Sequence, residues 1–580
     1  MRKLLVNFIV LSSLLLIQCK SNSNGIDIID DTDINGYNET TFFKTQGPQI
    51  LNRQGEPVVI RGFGLGGWLM PEGYMFNMPG DFGPTKIREN ITDLLGASEA
   101  DRWFEEFRTN YVQEADIIAM KEWGADHIRI QFNHKVFYDI DSEQFNEREF
   151  QRLDQVLIWS KRHRLNVILG MHGAPGAQSD KEIADSDGVA RLWTEYETYM
   201  PITIKIWTEI ARRYKDETII IGYDLLNEPV TPNGYGAEDV LRFHTDIIPE
   251  IRAIDENHIL FINGNYFSTT FDLLDEIPKQ VDNVVFSFHK YWNATDGGTI
   301  GYLLGLRSET NTPLWLGETG ENSNTWLYES LRMVESNDIG WNVWTHKKLS
   351  TITSPLSAPR NENYDKVTEY WKGNGPRPSV EEATSGLFKM AEDLAFEKTT
   401  FRPDVVAALF SPEFNTRNVP YAQLTIPGII PAVYYDIGNN GISYSDTEYM
   451  RVSSDDAQNN GNNGWSLRND GVDIEASIAN PSGYAVGFID SGEWLEYTAE
   501  ITQAGNYTII ARVASDNSNG AFRVKVDGKP IGSDVRVSNT GGYQSWQQVV
   551  VGSDDFEAGT VLIRVEMLTG GFNFSQLTFQ

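Results

Sequence analysis

The sequence predicts two folded domains, a (β/α)8 TIM barrel followed by an antiparallel β-sandwich of jelly-roll type. Its 580 residues exceed the roughly 250–300 residues over which one hydrophobic core extends. From about residue 45 to residue 408, short β-branched runs alternate with longer amphipathic stretches. After that point helical periodicity disappears and Gly, Asn, Asp and Ser become frequent. We therefore expect a barrel over residues 45–408, a linker over 409–425 and a sandwich over 426–580.

The predicted barrel strands are eight short apolar runs, each followed by a helical or loop stretch. They are Val58–Leu65, His127–Phe132, Asn166–Met171, Ile219–Leu226, Ile259–Asn263, Val284–His289, Leu314–Glu318 and Gly340–Trp344. The stretches Glu149–His163 and Pro201–Tyr214 carry apolar residues at i, i+3, i+4 and i+7, which predicts amphipathic helices. No GxGxxG motif opens a helix after the first strand and no phosphate loop occurs, so a closed barrel is favoured over an open nucleotide-binding sheet.

The predicted sandwich has short alternating strands separated by turn sequences such as VDGK and NTGG. Its clearest strands are Glu493–Glu500, Tyr507–Val513, Phe522–Val526 and Val561–Glu566. Pro420 and Pro427 mark its expected beginning.

The first residues resemble a bacterial lipoprotein signal. Arg2 and Lys3 precede an apolar run over residues 4–17, which is shorter than the roughly 20 residues of a membrane span and fits a secretory signal. The run ends in LIQC, which predicts cleavage before Cys19 and lipid attachment to it; a signal peptide without lipid is the alternative. The polar residues 20–44 are predicted to be a flexible tether. We expect an exported outer-membrane or cell-surface lipoprotein, with a secreted or periplasmic protein as the alternative.

Composition excludes several classes of function. A formal charge of −33 without a basic block repels phosphate backbones, so no nucleic-acid partner is expected, and it disfavours anionic polysaccharides. The single cysteine excludes an intramolecular disulfide and a cysteine-rich zinc site.

Polar side chains follow the C-terminal ends of the predicted barrel strands, where the catalytic groups of TIM barrels lie. In chain order they are Glu72, Arg129, His172, Asn227, Glu228, His289, Tyr291, Glu318 and Trp344. His127 and Trp341 lie earlier in their strands and are expected to pack in the core, while His134 remains ambiguous. No helix carries paired metal ligands near these residues, so catalysis is expected to need no metal or other cofactor.

Glu228 and Glu318 end the fourth and seventh strands, which predicts a carboxylate pair at the barrel mouth. Two carboxyl groups about 5–5.5 Å apart suit hydrolysis of a glycosidic bond with retention of configuration. At that distance the charge of one carboxylate is expected to raise the pKa of the other, while a neighbouring arginine keeps the nucleophile ionised. The asparagine beside the acid is expected to bind the sugar 2-OH.

With these motifs together, residues 45–400 resemble glycoside hydrolase family 5. The resemblance implies that Glu228 is the general acid/base and Glu318 the nucleophile. It also implies that Arg129, His172, Asn227, His289, Tyr291 and Trp344 bind substrate, with Trp344 as the floor under the sugar at the cleaved bond.

Within that family, RGFGLGGWLMPEG and MHGAPGAQ resemble the exo-β-1,3-glucanase-like branch. That resemblance implies that Glu72 helps to close a pocket around the terminal sugar; a surface carboxylate is the alternative. The segment SDKEIADSDG departs from the branch, which leaves endo or exo action and the linkage open.

Residues 426–580 resemble family 6 carbohydrate-binding modules in stretches such as GYAVGFIDSGEWLEY and NTGGYQSW. The resemblance implies that Phe488 and Tyr543 sandwich a sugar, with Asn573 and Glu475 as hydrogen-bonding partners. For Trp494 and for Trp546, a position in the core and a position on the surface are equally expected. The family's calcium-binding glutamates are replaced by Pro431 and Val433, which argues against a structural Ca²⁺ but leaves it open.

These observations predict a monomeric, retaining glycoside hydrolase acting on a β-linked neutral polysaccharide, with a β-glucan as the expected substrate. Its membrane contact is expected through the lipid anchor only. An endo-β-1,4-glucanase or β-mannanase is the alternative within the enzyme class. A non-catalytic glycan-binding surface lipoprotein is the alternative from another class.

Overall fold

The structure, a computed structural model, describes residues 36–450 and 466–580. The predicted signal peptide, Cys19 and most of the predicted tether lie outside these residues. The first domain is a closed barrel of eight parallel strands, as predicted. In chain order its strands are Arg61–Gly64, His127–Asn133, Asn166–Gly173, Ile220–Asp224, Ile259–Asn263, Val284–Lys290, Leu314–Gly320 and Gly340–Trp344.

Helices connect the strands along the outside of the barrel. They are Pro84–Leu95, Ala97–Tyr111 and Glu114–Trp123 after the first strand, Glu147–His163 after the second, Tyr196–Tyr214 after the third, Ala237–Arg252 after the fourth, Gly301–Thr310 after the sixth, Asn324–Glu335 after the seventh, and Glu362–Trp371, Val380–Glu392 and Pro403–Phe410 after the eighth. Each buries an apolar stripe, which explains why the helical periodicity is visible in the sequence.

The barrel interior is filled by side chains at alternate strand positions. His127 and Trp341 lie near the beginnings of the second and eighth strands, and both are fully buried. Burial lowers the pKa of His127 to about 3, so its ring is neutral. Both side chains are therefore packing residues, as predicted.

The second domain is a sandwich of two sheets. One contains Leu424–Ile426, Tyr444–Ser445, Trp494–Ile501, Ala521–Val526, Lys529–Pro530, Val535–Arg536 and Gly559–Thr569; the other contains Gly428–Pro431, Ile474–Ala476, Tyr484–Val486, Gly505–Ser515, Gly542–Phe556 and Asn573–Phe579. The pairs are antiparallel, except that Leu424–Ile426 runs parallel to Trp494–Ile501. Trp494 and Trp546 are only partly buried and lie outside the core between the sheets.

The segments predicted as linker and tether are packed where the structure describes them. Val419 and Ile437 exchange two backbone hydrogen bonds, which ties residues 409–425 to the sandwich. In the described part of the tether, Phe43 is buried and Tyr37 Oη lies 3.0 Å from Thr218 Oγ1. Removal of these two rings from water favours packing of this segment. The polar residues around them had suggested a flexible tether instead. Over the described ranges, the helices are too short or too polar to cross a membrane.

Candidate active site

The eight parallel strands place the predicted site residues at one rim of the barrel, where two carboxyl groups converge. One oxygen of Glu228, one oxygen of Glu318 and one ring nitrogen of His289 lie within 4.8 Å of one another. All three side chains are buried. Inverting glycosidases separate their carboxyl groups by about 6.5–9.5 Å to leave room for a water, whereas retaining ones need about 5–5.5 Å. The spacing therefore fits a nucleophile and an acid/base.

Glu318 is held by two hydrogen-bond donors. Arg129 Nη1 donates to Oε2 at 2.8 Å and Tyr291 Oη donates to Oε1 at 2.9 Å. The guanidinium also pairs with Asp224 at 2.6 Å and donates to Asn227 Oδ1 at 2.7 Å. A carboxyl group held by a buried cation and a hydroxyl donor is positioned as a nucleophile requires.

Asp224 was not among the predicted site residues, although it is fully buried and paired with Arg129. A signal was present, because it is the one charged residue in the apolar run IIIGYDLL. Asp224 and Glu318 together supply the counter-charges for the buried arginine.

Glu228 lies in an environment that favours its protonated form. Burial raises its pKa to about 7, partly offset by the charges of His172 and Arg129. The direction agrees with the prediction, but the main cause is loss of hydration and not the charge of the second carboxylate. His289 Nδ1 lies 2.6 Å from Glu228 Oε1, and burial lowers the pKa of His289 to about 4. The ring of His289 is thus neutral near pH 7 and forms a hydrogen bond with the Glu228 carboxyl group.

Asn227 is arranged to bind a ligand. Its Oδ1 accepts from Arg129, which orients the amide, while its buried Nδ2 has no hydrogen-bond partner among residues 36–450 and 466–580. An unpartnered buried donor is costly unless substrate or water satisfies it. An amide oriented in this way is suited to donate a hydrogen bond to a sugar hydroxyl next to the cleaved bond.

The indole of Trp344 forms a flat surface beside the carboxyl pair. It stacks on His172 with ring centroids 5.3 Å apart and planes inclined by 7°. Gly66, in the GGW turn, approaches so closely that a Cβ there would lie 2.6 Å from the indole, which explains the glycine. A flat apolar ring suits the C–H face of a sugar, so Trp344 lies where a pocket floor is expected.

Glu72 belongs to the pocket and is not a surface carboxylate, since its exposed fraction is 2%. Its Oε1 lies 3.2 Å from His172 Nε2. Burial, followed by the charges of Glu228 and Glu321, raises the pKa of Glu72 well above its usual value.

Three further pocket residues were missed in the sequence. Tyr74 Oη accepts a hydrogen bond of 2.8 Å from Trp344 Nε1, and Lys348 Nζ lies 2.5 Å from Glu321 Oε1. The ammonium of Lys348 also lies 5.8 Å from the centre of the Tyr74 ring. No local pattern marks these residues, because they lie in segments that follow three different barrel strands.

The carboxyl pair and His289 also form a cluster of side chains of the kinds that bind metal ions. A divalent cation there would face the positive Arg129, and Glu228 favours its neutral form. Both features disfavour a cation, whereas both assist an acid and a nucleophile.

In the sandwich, the four predicted contacts lie together. Phe488 and Tyr543 expose 54% and 40% of their surface. The amide of Asn573 donates to the Tyr543 carbonyl at 2.9 Å and also to the Glu475 carboxylate, which links the aromatic rings to polar groups. Exposed rings beside amides and carboxylates form the kind of surface that binds neutral sugars.

Comparison with known proteins supports both domains. Residues 85–350 match the family described as cellulase (glycosyl hydrolase family 5), and residues 466–580 match carbohydrate binding module (family 6). A β-xylosidase of Phanerodontia chrysosporium is 30% identical over 253 residues, covering 43% of this chain and 52% of that protein. A probable glucan 1,3-β-glucosidase A of Emericella nidulans is 26% identical over 215 residues, covering 36% of this chain and 52% of that protein.

The chain thus spans about half the length of these curated relatives. Among solved structures, the catalytic domain of endoglucanase Cel5A from Thermobifida fusca is 16% identical with a TM-score of 0.37, covering 63% of this chain and 99% of that one. The two family matches agree with the predicted resemblance to glycoside hydrolase family 5, over residues 85–350, and to family 6 carbohydrate-binding modules, over residues 466–580.

Proposed function

We propose that the protein hydrolyses a β-linked neutral glycan, with a β-glucan as substrate, by a double displacement that retains anomeric configuration. The observation that carries the proposal is the pair Glu228 and Glu318, with oxygens within 4.8 Å and with Arg129 bound to the second. Glu318 attacks the anomeric carbon while Glu228 protonates the leaving oxygen, and Glu228 then takes a proton from water as the glycosyl-enzyme is hydrolysed. Neither step requires a metal or other cofactor.

We further propose exo action on a terminal sugar. The support is the wall beside the Trp344 floor, where Tyr74 binds the indole and Lys348 pairs with Glu321. Buried Glu72 adjoins the same floor through His172. We expect such a wall to limit the site to a chain end, whereas an extended cleft would be expected for endo action.

Product analysis on a panel of soluble glycans tests substrate and mode of action together. The panel contains laminarin, lichenan, cellulose, mannan, a β-1,6-glucan and, because one relative is named β-xylosidase, an aryl β-xyloside. We expect single glucose units released in sequence from laminarin. Long oligosaccharides as first products would contradict exo action and favour the endoglucanase or mannanase alternative. Binding without any hydrolysis would favour the non-catalytic glycan-binding alternative.

We propose that Cys19 carries a lipid that anchors the protein on the membrane surface, with the apolar run over residues 4–17 as the support. Labelled palmitate is expected in the wild-type protein and not in Cys19→Ala, while the substitution Ser23→Ala serves as a control within the same segment. Incorporation that persists in Cys19→Ala would contradict lipidation at this residue.

A further inference from the structure

The loop that follows Glu318 contacts both the candidate pocket and the carbohydrate-binding module. We propose that module residues 467–470 hold this loop, residues 321–324, in the conformation that completes the pocket, so that the module supports catalysis on substrates too small to reach its own sugar site. The inference rests on the proposed function, and it makes Asn469 a positioning residue.

On the module side, the contact is a set of short hydrogen bonds. Asn469 Nδ2 donates to the Asn322 carbonyl at 2.8 Å and to Asn324 Oδ1 at 3.0 Å. In return, Asn324 donates its backbone N–H to the Asn469 carbonyl at 2.6 Å and its Nδ2 to Asp470 Oδ1 at 2.9 Å. All four residues are buried, so water does not replace a partner that is lost.

On the pocket side, the same loop carries Glu321. Its carboxylate binds Lys348 at 2.5 Å, and its carbonyl accepts a hydrogen bond of 3.4 Å from Trp292 Nε1. Glu321 has a φ of 54°, in the left-handed region that a non-glycine residue occupies only when its surroundings hold it there. Asn322, the next residue, is held by the module, so the module stabilises a strained residue of the pocket wall.

The module end of this connection is rigid. The guanidinium of Arg468 lies 4.3 Å from the Tyr421 ring centre and 3.7 Å from that of Tyr435, and it forms an ion pair of 2.7 Å with Asp470. Arg468 is almost fully buried. Residues 468–470 are thereby fastened into the module, and the loop of the barrel is the part that moves if the connection is broken.

A separate apolar contact keeps the domains together without Asn469. Ala408, Phe414 and Ile437 form a buried cluster, and the Tyr328 ring lies 5.3 Å from that of Phe414. Replacing Asn469 by alanine removes two of these four hydrogen bonds and is therefore expected to loosen the loop without separating the domains. This independence allows a test with the full-length protein.

The test compares Asn469→Ala with Asn506→Ala, a matched change at an exposed asparagine of the module. Rates are measured on an aryl glycoside that the wild-type protein cleaves and on the polysaccharide it degrades. For Asn469→Ala we expect kcat/KM to fall about tenfold or more on both substrates, because a displaced pocket wall affects every substrate. Asn506→Ala is expected to match the wild type on both. A fall on the polysaccharide alone would overturn the proposal, because it would assign the module a role in polymer binding only.

Amide hydrogen exchange provides a readout that does not depend on activity. Backbone amides of residues 319–324 are expected to exchange faster in Asn469→Ala than in the wild type and in Asn506→Ala. Unchanged exchange in this loop overturns the proposal. If the wild-type protein cleaves no glycoside, the proposed function fails, and exchange alone then decides whether the module holds the loop.

Discussion

Replacing Glu318 by glutamine is expected to lower kcat by about 10⁴-fold or more while leaving the fold intact. The amide has nearly the shape of the carboxylate but lacks the charge and nucleophilicity needed to form the glycosyl-enzyme. Arg129 retains Asp224 as its partner, so the buried cation is not left without a counter-charge. Initial rates on an aryl glycoside and a thermal unfolding curve measure the two effects separately.

The exposed Glu250 offers a matched control, since Glu250→Gln makes the same chemical change on the surface. It is expected to leave both activity and thermal stability as in the wild type. Glu318→Gln with near-normal turnover would refute the nucleophile assignment. A large fall in its unfolding temperature would show that the carboxylate is needed for folding, and the activity loss would then not identify its chemical role.

Replacing Glu228 by glutamine is expected to slow polysaccharide hydrolysis about 10³-fold, because the leaving oxygen of a sugar needs a proton. Its pKa of about 7 predicts the pH dependence. The protonated form is the active one in the first step, so kcat/KM of the wild type should fall as pH rises through about 7. In Glu228→Gln this alkaline fall should be absent, since the amide does not titrate.

Aryl glycosides with acidic leaving groups provide an internal comparison for this variant. Their first step needs little protonation, so we expect a much smaller rate loss in that step than on polysaccharide. Glu238→Gln, an exposed change in the following helix, is the matched control. An equal loss on both kinds of leaving group, or an alkaline fall that persists in the variant, would assign the acid role to another group.

The barrel was predictable because each strand is a local pattern of apolar residues. Two of the eight predicted strands, Ile259–Asn263 and Gly340–Trp344, have the observed bounds, and the others differ by a few residues at their ends. Strand ends are less predictable, since they depend on hydrogen bonds to neighbouring strands and not on the strand's own residues. The packed segments around Phe43 and Val419 were missed for the same reason, because their partners are distant in the chain.

The same distinction between local sequence patterns and contacts of distant residues applies to the candidate site. Glu228 and Glu318 could be named from motifs and strand order, because the parallel arrangement sends the ends of all strands to one rim. Tyr74, Glu321 and Lys348 could not be placed, since their roles arise from contacts between segments that follow different strands. Asp224 could be noticed as a charge in an apolar run, but its pairing with Arg129 joins two strands that are distant in the chain. The raised pKa of Glu228 was foreseen, but burial as its main cause depends on how completely the surrounding chains exclude water.

The sequence alone thus predicted the two domains, the order of the strands and the carboxyl pair. Only the folded structure shows the spacing of that pair, the burial that raises the pKa of Glu228 and the connection from Asn469 to the pocket wall. The physical reason is the separation along the chain between the residues that interact. Helix and strand patterns are set by residues a few positions apart, whereas electrostatics and buried hydrogen bonds depend on groups that only the folded chain brings together.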